Sequence, residues 1–171
     1  DLTSCRFEQI DQRRVRVTGT RLNPSERYTV KLEGAKPVGF RTIAIAGIRA
    51  PDLISQLDQV LEDVRRTVFQ NFQSIDEADV SVIFRCYGRD AVMGELEPLR
   101  DLDPHEIGLV IEVVAATQAL ADTICSFARS TLLHFGYPGR QSTAGNLAFP
   151  YSPSDISHGV VYEFSLYHLM T

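Results

Sequence analysis

Between residues 40 and 168 the spacing of apolar side chains changes from two residues to 3.6 and back, twice over. That order leaves few folds open. "GFRTIAIAGI" is rich in β-branched residues and continuously apolar at its end, as an inner strand would be. At Pro51 the period lengthens. Leu53, Ile54, Leu57, Val60, Leu61, Val64 and Val68 recur at helical spacing, with Asp58, Glu62, Arg65 and Arg66 on the other side. Pro51 suits a first helical turn and Asp52 the positive end of the helix dipole. "ADVSVIFRCYG" returns to period two, with Val80, Val82, Phe84 and Cys86 on one face, and "IGLVIEVVA" reads as a central strand. "TQALADTICSFARSTLLHFG" is helical again, with Thr117 as N-cap and Gly136 placed to end it in the left-handed conformation. "GVVYEFSLYHL" is a last strand.

The predicted spans are strand 40–48, helix 52–72, strand 79–87, strand 107–115, helix 117–135 and strand 160–168. The expected class is α+β: an antiparallel or mixed sheet with two helices on one face, a ferredoxin-like βαββαβ core. Ahead of it, residues 1–39 read as a β-strand extension to a domain at 40–171. "CRFEQI" and "RRVRVTGT" suggest a hairpin about Asp11-Gln12, with Val15 and Val17 on a dry face and Arg14, Arg16 and Thr18 on a wet one. "RYTVKLEG" then alternates, with Tyr28, Val30 and Leu32 on one side.

Composition narrows function mainly by exclusion. The chain of 171 residues has a formal net charge of -5, which speaks against nucleic acid, whose partners are basic. No apolar run reaches the roughly 18 residues that span a bilayer, and no secretory signal opens the chain. No membrane partner is expected, and a cytoplasmic home is. Three cysteines, Cys5, Cys86 and Cys125, are odd in number and widely spaced, so no disulfide framework follows. The first residue is Asp1, not Met, so the chain is expected to be a fragment, a processed product or a trimmed piece of a polypeptide.

Familiar catalytic signatures are missing. There is no phosphate loop, no dinucleotide fingerprint, and "GRQSTAG" departs from a nucleophile elbow at Ser142. His105, His134, His158 and His168 lack metal-ligand spacing, so neither metal nor cofactor is implied. His134 sits where a helix dipole favours a cation. Asp155 is read as an N-cap or turn residue, with a metal pair to His158 the sharper alternative. In "DLDPHEIG", Asp101, Asp103, His105 and Glu106 read as a solvated connector, with acid/base chemistry as the alternative.

What remains is "HFGYPGRQSTAGNLAFPYSPSDISHG", a connection too long for a compact domain unless it is functional, interfacial or disordered. Tyr137, Leu147, Phe149 and Tyr151 argue against disorder. The candidate ligand set is Gly139, Arg140, Ser142, Thr143, Gly145 and Asn146: glycines that free backbone N–H groups, a guanidinium fork and neutral donors, suited to phosphate or carboxylate. The competing expectation is a loop that wraps a sheet edge or a neighbouring domain, with Arg140 paired to a carboxylate such as Glu163.

The run "CSFARSTLLHFGYPGRQSTAGNLAFPYSPSDI…VYEFSLYHLM" resembles the later portion of the acyclic terpene utilisation (AtuA-like) family, and "VRVTGTRLNPSERYTVKLEG" with "AGIRAPDLI" is similar to the segment before it. The resemblance implies a bacterial or fungal cytoplasmic protein tied to breakdown of branched acyl chains as coenzyme A thioesters. It also implies a partner in the family's larger N-terminal α/β portion, absent from this sequence; an accessory domain would pack against that portion or against another copy, as a homo-oligomer. It supplies no catalytic residues. Two functions stand: an accessory or assembly domain, or part of an enzyme acting on an acyl-CoA or carboxylate as lyase, hydratase or hydrolase, with the 136–159 loop as its anion site.

Overall fold

A computed structural model describes residues 1–99, 102–143 and 145–171. The chain forms two compact units: Asp1–Gly34 with Phe164–Thr171, and Ala35–Glu163. The elements in order are β1 (Arg6–Asp11), β2 (Arg14–Thr18), β3 (Val30–Ile48), α1 (Pro51–Ile54), α2 (Leu57–Asn71), β4 (Ser81–Tyr87), β5 (Ile107–Ala115), α3 (Gln118–His134) and β6 (Asp155–Met170). The class is mixed α+β, as expected. β1 and β2 form a two-stranded antiparallel sheet, and a four-stranded sheet runs β4-β5-β3-β6.

In the larger unit β5 is central and antiparallel to both β3 and β4. Ile111 lies opposite Ala44 on one side and Phe84 on the other, so their side chains share a face. That face meets the apolar stripes of α2 (Val60, Val64, Val68) and α3 (Ala121, Ile124, Ala128) in one core cluster. Cys86 and Cys125 belong to it as small hydrophobes. The reverse face carries Ile43, Ile45, Val110 and Val114 with three charges, Arg41, Arg85 and Glu112.

Several boundaries differ from expectation. The 52–72 helix is broken, because the Gln56 amide donates to the Asp52 carbonyl at 2.7 Å and to Pro138 O at 3.1 Å. The expected strand 40–48 continues backward to Val30, through Pro37 and Gly39. At α3, Thr117 Oγ1 accepts from Leu120 N at 3.2 Å, a cap worth about 1 kcal/mol. Gly136 does not end that helix by a left-handed turn: Phe135, extended at φ -61 and ψ 133, does so instead. In the smaller unit the hairpin turns at Gln12-Arg13, and Val15 and Val17 are exposed, as are Arg14 and Arg16, which alternate with them. Its expected dry face is wet.

Candidate functional site

The connection from α3 to β6 is tied down by backbone. Gly47 N donates to Ala148 O at 2.7 Å and Ala148 N returns a bond to Gly47 O at 2.8 Å, so the loop runs beside the end of β3. Gly145 O accepts from both Arg49 N (2.8 Å) and Ala50 N (3.0 Å). Leu147 is buried, Tyr137 and Phe149 pack against the core, and Tyr151 is exposed. The Tyr137 hydroxyl donates to Asn146 Oδ1 at 3.1 Å, and Asn146 Nδ2 donates to Gln141 O at 2.6 Å. Burial pushes the Tyr137 phenol upward, against the nearby Arg140 cation.

These contacts shape a concavity of about 310 Å³ lined by Arg49, Asp52, Tyr137, Gly139, Thr143, Gly145 and Asn146, among others. Four of the six candidate residues therefore meet at one place. Gly139 takes φ +80, and a Cβ there would approach Asp52 Cγ at 3.0 Å, so the turn needs glycine. Arg140 and Ser142 are not among its lining residues. Arg140 donates to Ser142 Oγ (3.1 Å) and to Leu133 O at the end of α3 (3.3 Å), a C-terminal capping role. Nor does it pair with Glu163, whose partner is Lys36 at 2.8 Å.

Other expected chemistry is also placed. Asp155 does not cap or turn. It is held by Arg129 through two bonds, Nε to Oδ1 at 2.6 Å and Nη2 to Oδ2 at 3.0 Å, while Arg129 lies over Phe149. His158 is exposed. Asp103, His105 and Glu106 are exposed in their connector, and Asp101 lies outside the described residues. Burial drives the thiols of Cys86 and Cys125 up to about 11 and about 12, so both are protonated and poor nucleophiles at neutral pH.

With the geometry in view, comparison with known proteins is informative on one point. The sequence profile described as acyclic terpene utilisation family protein AtuA matches residues 1–156. The chain belongs to that family. No curated protein and no solved structure matches it. Among the described residues of this AtuA family member, no helix is long and apolar enough to cross a membrane. The matched span includes the whole 139–146 segment and both halves of the Arg129–Asp155 pair.

Two polar clusters in the AtuA family chain escaped sequence reasoning. On the reverse face of the sheet, buried Glu112 lies between Arg85 (Nε–Oε2 2.9 Å) and Arg41 (Nε–Oε1 2.7 Å, with the N–H not aimed at the oxygen). A lone acid inside "IGLVIEVVA" was the available signal. On the helix side, Asp122 Oδ1 accepts from Thr42, from Gln118 Nε2 (2.9 Å) and from Ser157 Oγ (2.9 Å). The Thr42 hydroxyl above all, with Gln118 and Ser157, holds its carboxyl below the usual range despite some desolvation. Asp122 borders an open groove with Phe72, Ser126, Phe127 and Asp155. Spacing in α3 alone gave no sign of it.

Proposed function

We propose that the chain is an accessory or assembly module of acyclic terpene utilisation, serving cytoplasmic breakdown of branched terpenoid acyl-CoA compounds. Its larger unit acts as a ferredoxin-like scaffold, a reading supported by the βαββαβ order and the strand order β4-β5-β3-β6. Its partner is a further α/β portion of the same polypeptide. The observation that carries this reading is the exposure of Phe7, Tyr28 and Phe164 in the smaller unit. So many large apolar side chains left in water within one small unit suit an interaction face. The loop, by contrast, uses its polar groups on itself: Asn146 on Tyr137 and Gln141, Arg140 on Ser142 and Leu133.

A second reading draws on the concavity beside Gly139, Thr143, Gly145 and Asn146. There the loop would hold the anionic end of an acyl-CoA or carboxylate for a lyase, hydratase or hydrolase. A thermal-shift titration with coenzyme A, branched acyl-CoAs and dicarboxylates separates the two, run on wild type, Arg140→Ala and Thr143→Val. A module gives no shift with any of them. A bound anion at a hundredfold excess over its Kd adds about 2.7 kcal/mol, several degrees for a chain this size. Loss of that shift in Thr143→Val would establish the site and overturn the module reading.

A further inference from the structure

In the larger unit α2 and α3 both pack on one face of the sheet and leave the other to solvent. Strand register lays that open face out in rows. Arg41 lies level with Val114 and Ser81, Ile43 with Glu112 and Ile83, and Ile45 with Val110 and Arg85. Its isoleucines and valines are partly exposed. At the centre the acid lies beneath its cations: the Glu112 side chain is 7% exposed, those of Arg41 and Arg85 30% and 42%. A partner therefore meets two guanidiniums set in apolar surface, with one positive charge in excess. The connector from β4 to β5 has the opposite character. Val92 is 85% exposed, Met93 50%, Leu96 80% and Leu99 62%. Val92, Leu96 and Leu99 keep the i, i+4, i+7 spacing of docking anchors. Among them stand Glu95 and Glu97, which pair with no cation among the described residues.

We propose that the 92–99 connector of one copy docks on the open sheet face of a second copy, and that the exchange is reciprocal about a two-fold axis. Charge complementarity selects this occupant. Apolar side chains meet apolar side chains, while Glu95 and Glu97 meet the half-exposed guanidiniums of Arg41 and Arg85. The same charge keeps the face from pairing with its own copy, since each would bring an excess cation. Position makes the exchange possible. The connector leaves β4 at Tyr87, two residues beyond Arg85, so donor segment and acceptor face adjoin and one axis trades both. Area suffices as well. Four apolar side chains this exposed offer on the order of 400 Å² per connector; with the surface they cover, and doubled by symmetry, the interface reaches about 1,600 Å², the standard size. Phe7, Tyr28 and Phe164 take no part, so the smaller unit keeps its own partner.

The test is sedimentation equilibrium on the 171-residue chain between about 1 and 100 μM, a range suited to an interface of this size. Wild type is expected to sediment at twice the monomer mass. Leu96→Asp and Glu95→Lys, both at exposed positions, should each weaken association about 100-fold, because the two-fold axis repeats every lost contact. Phe164→Lys, in the smaller unit, should leave it unchanged. A second measurement needs no variant protein. A synthetic peptide of residues 90–99 should dissociate the wild-type dimer, and the same peptide carrying Glu95→Gln and Glu97→Gln should need about tenfold more. A monomer throughout the range, a dimer indifferent to Leu96→Asp, or a dimer that ignores the peptide would overturn the proposal. Failure here leaves the module reading standing, whereas an acyl-CoA shift would sink that reading and leave the measured mass untouched.

Discussion

The guanidinium of Arg129 grips both carboxylate oxygens of Asp155 across 26 residues of chain, joining the middle of α3 to the first residue of β6. Both side chains are largely withdrawn from water, and Arg129 also stacks over Phe149. The pair thus fixes where the long connection ends.

Asp155→Ala should cost about 2 kcal/mol, the range for a charge-assisted bond that leaves its partner unpaired. Urea unfolding of Asp155→Ala, Arg129→Ala and the double variant measures the coupling directly. A double variant no worse than Asp155→Ala alone is the expected result; strict additivity would mean the two residues act separately.

Glu112 lies between Arg41 and Arg85 and offsets one of their two positive charges on the otherwise apolar face of the sheet. Glu112→Ala is expected to destabilise by about 3 kcal/mol, because two cations then face each other without a counter-ion. Replacing all three with Leu should recover most of that loss. Chemical denaturation of the single and triple variants decides it.

Asp122 gives the fold a definite acid response. Its folded pKa lies below the ordinary aspartate value of 3.8, so its contribution is complete above that value and disappears as pH falls through the lower, folded value. The difference in urea midpoint between wild type and Asp122→Asn should therefore be flat above about pH 5 and shrink in strong acid. A difference that grew on acidification would reverse the assignment.

The cysteines should divide two to one. With Cys86 and Cys125 buried and their thiols raised to about 11 and about 12, iodoacetamide at neutral pH should label Cys5 alone in the native chain. All three should react in denaturant. Mass spectrometry of labelled peptides reads the result.

What could be read from residues depended on how local the cause was. β5 matched its predicted span, Ile107–Ala115, because both of its faces are covered or crowded and the run is apolar throughout. α3 was legible within a residue at each end through its stripe and the Thr117 cap. The break at Gln56 was not legible, since its cause is a carbonyl at Pro138, far along the chain. The same holds for the site. Gly139, Thr143, Gly145 and Asn146 line one concavity, but Arg140 is taken by the carbonyl of Leu133. A guanidinium's partner is set by tertiary geometry, and spacing cannot express it. Arg129–Asp155 and Thr42–Asp122 were invisible for that reason.

The position of β5, hydrogen-bonded on both edges and packed under two helices, also sets a clock. Its amides can meet solvent deuterium only when the whole larger unit opens, whereas those of β1 and β2 need little more than fraying. The chain should thus exchange hydrogen from its ends inward, and the slowest signal to fade would report the stability of the entire scaffold.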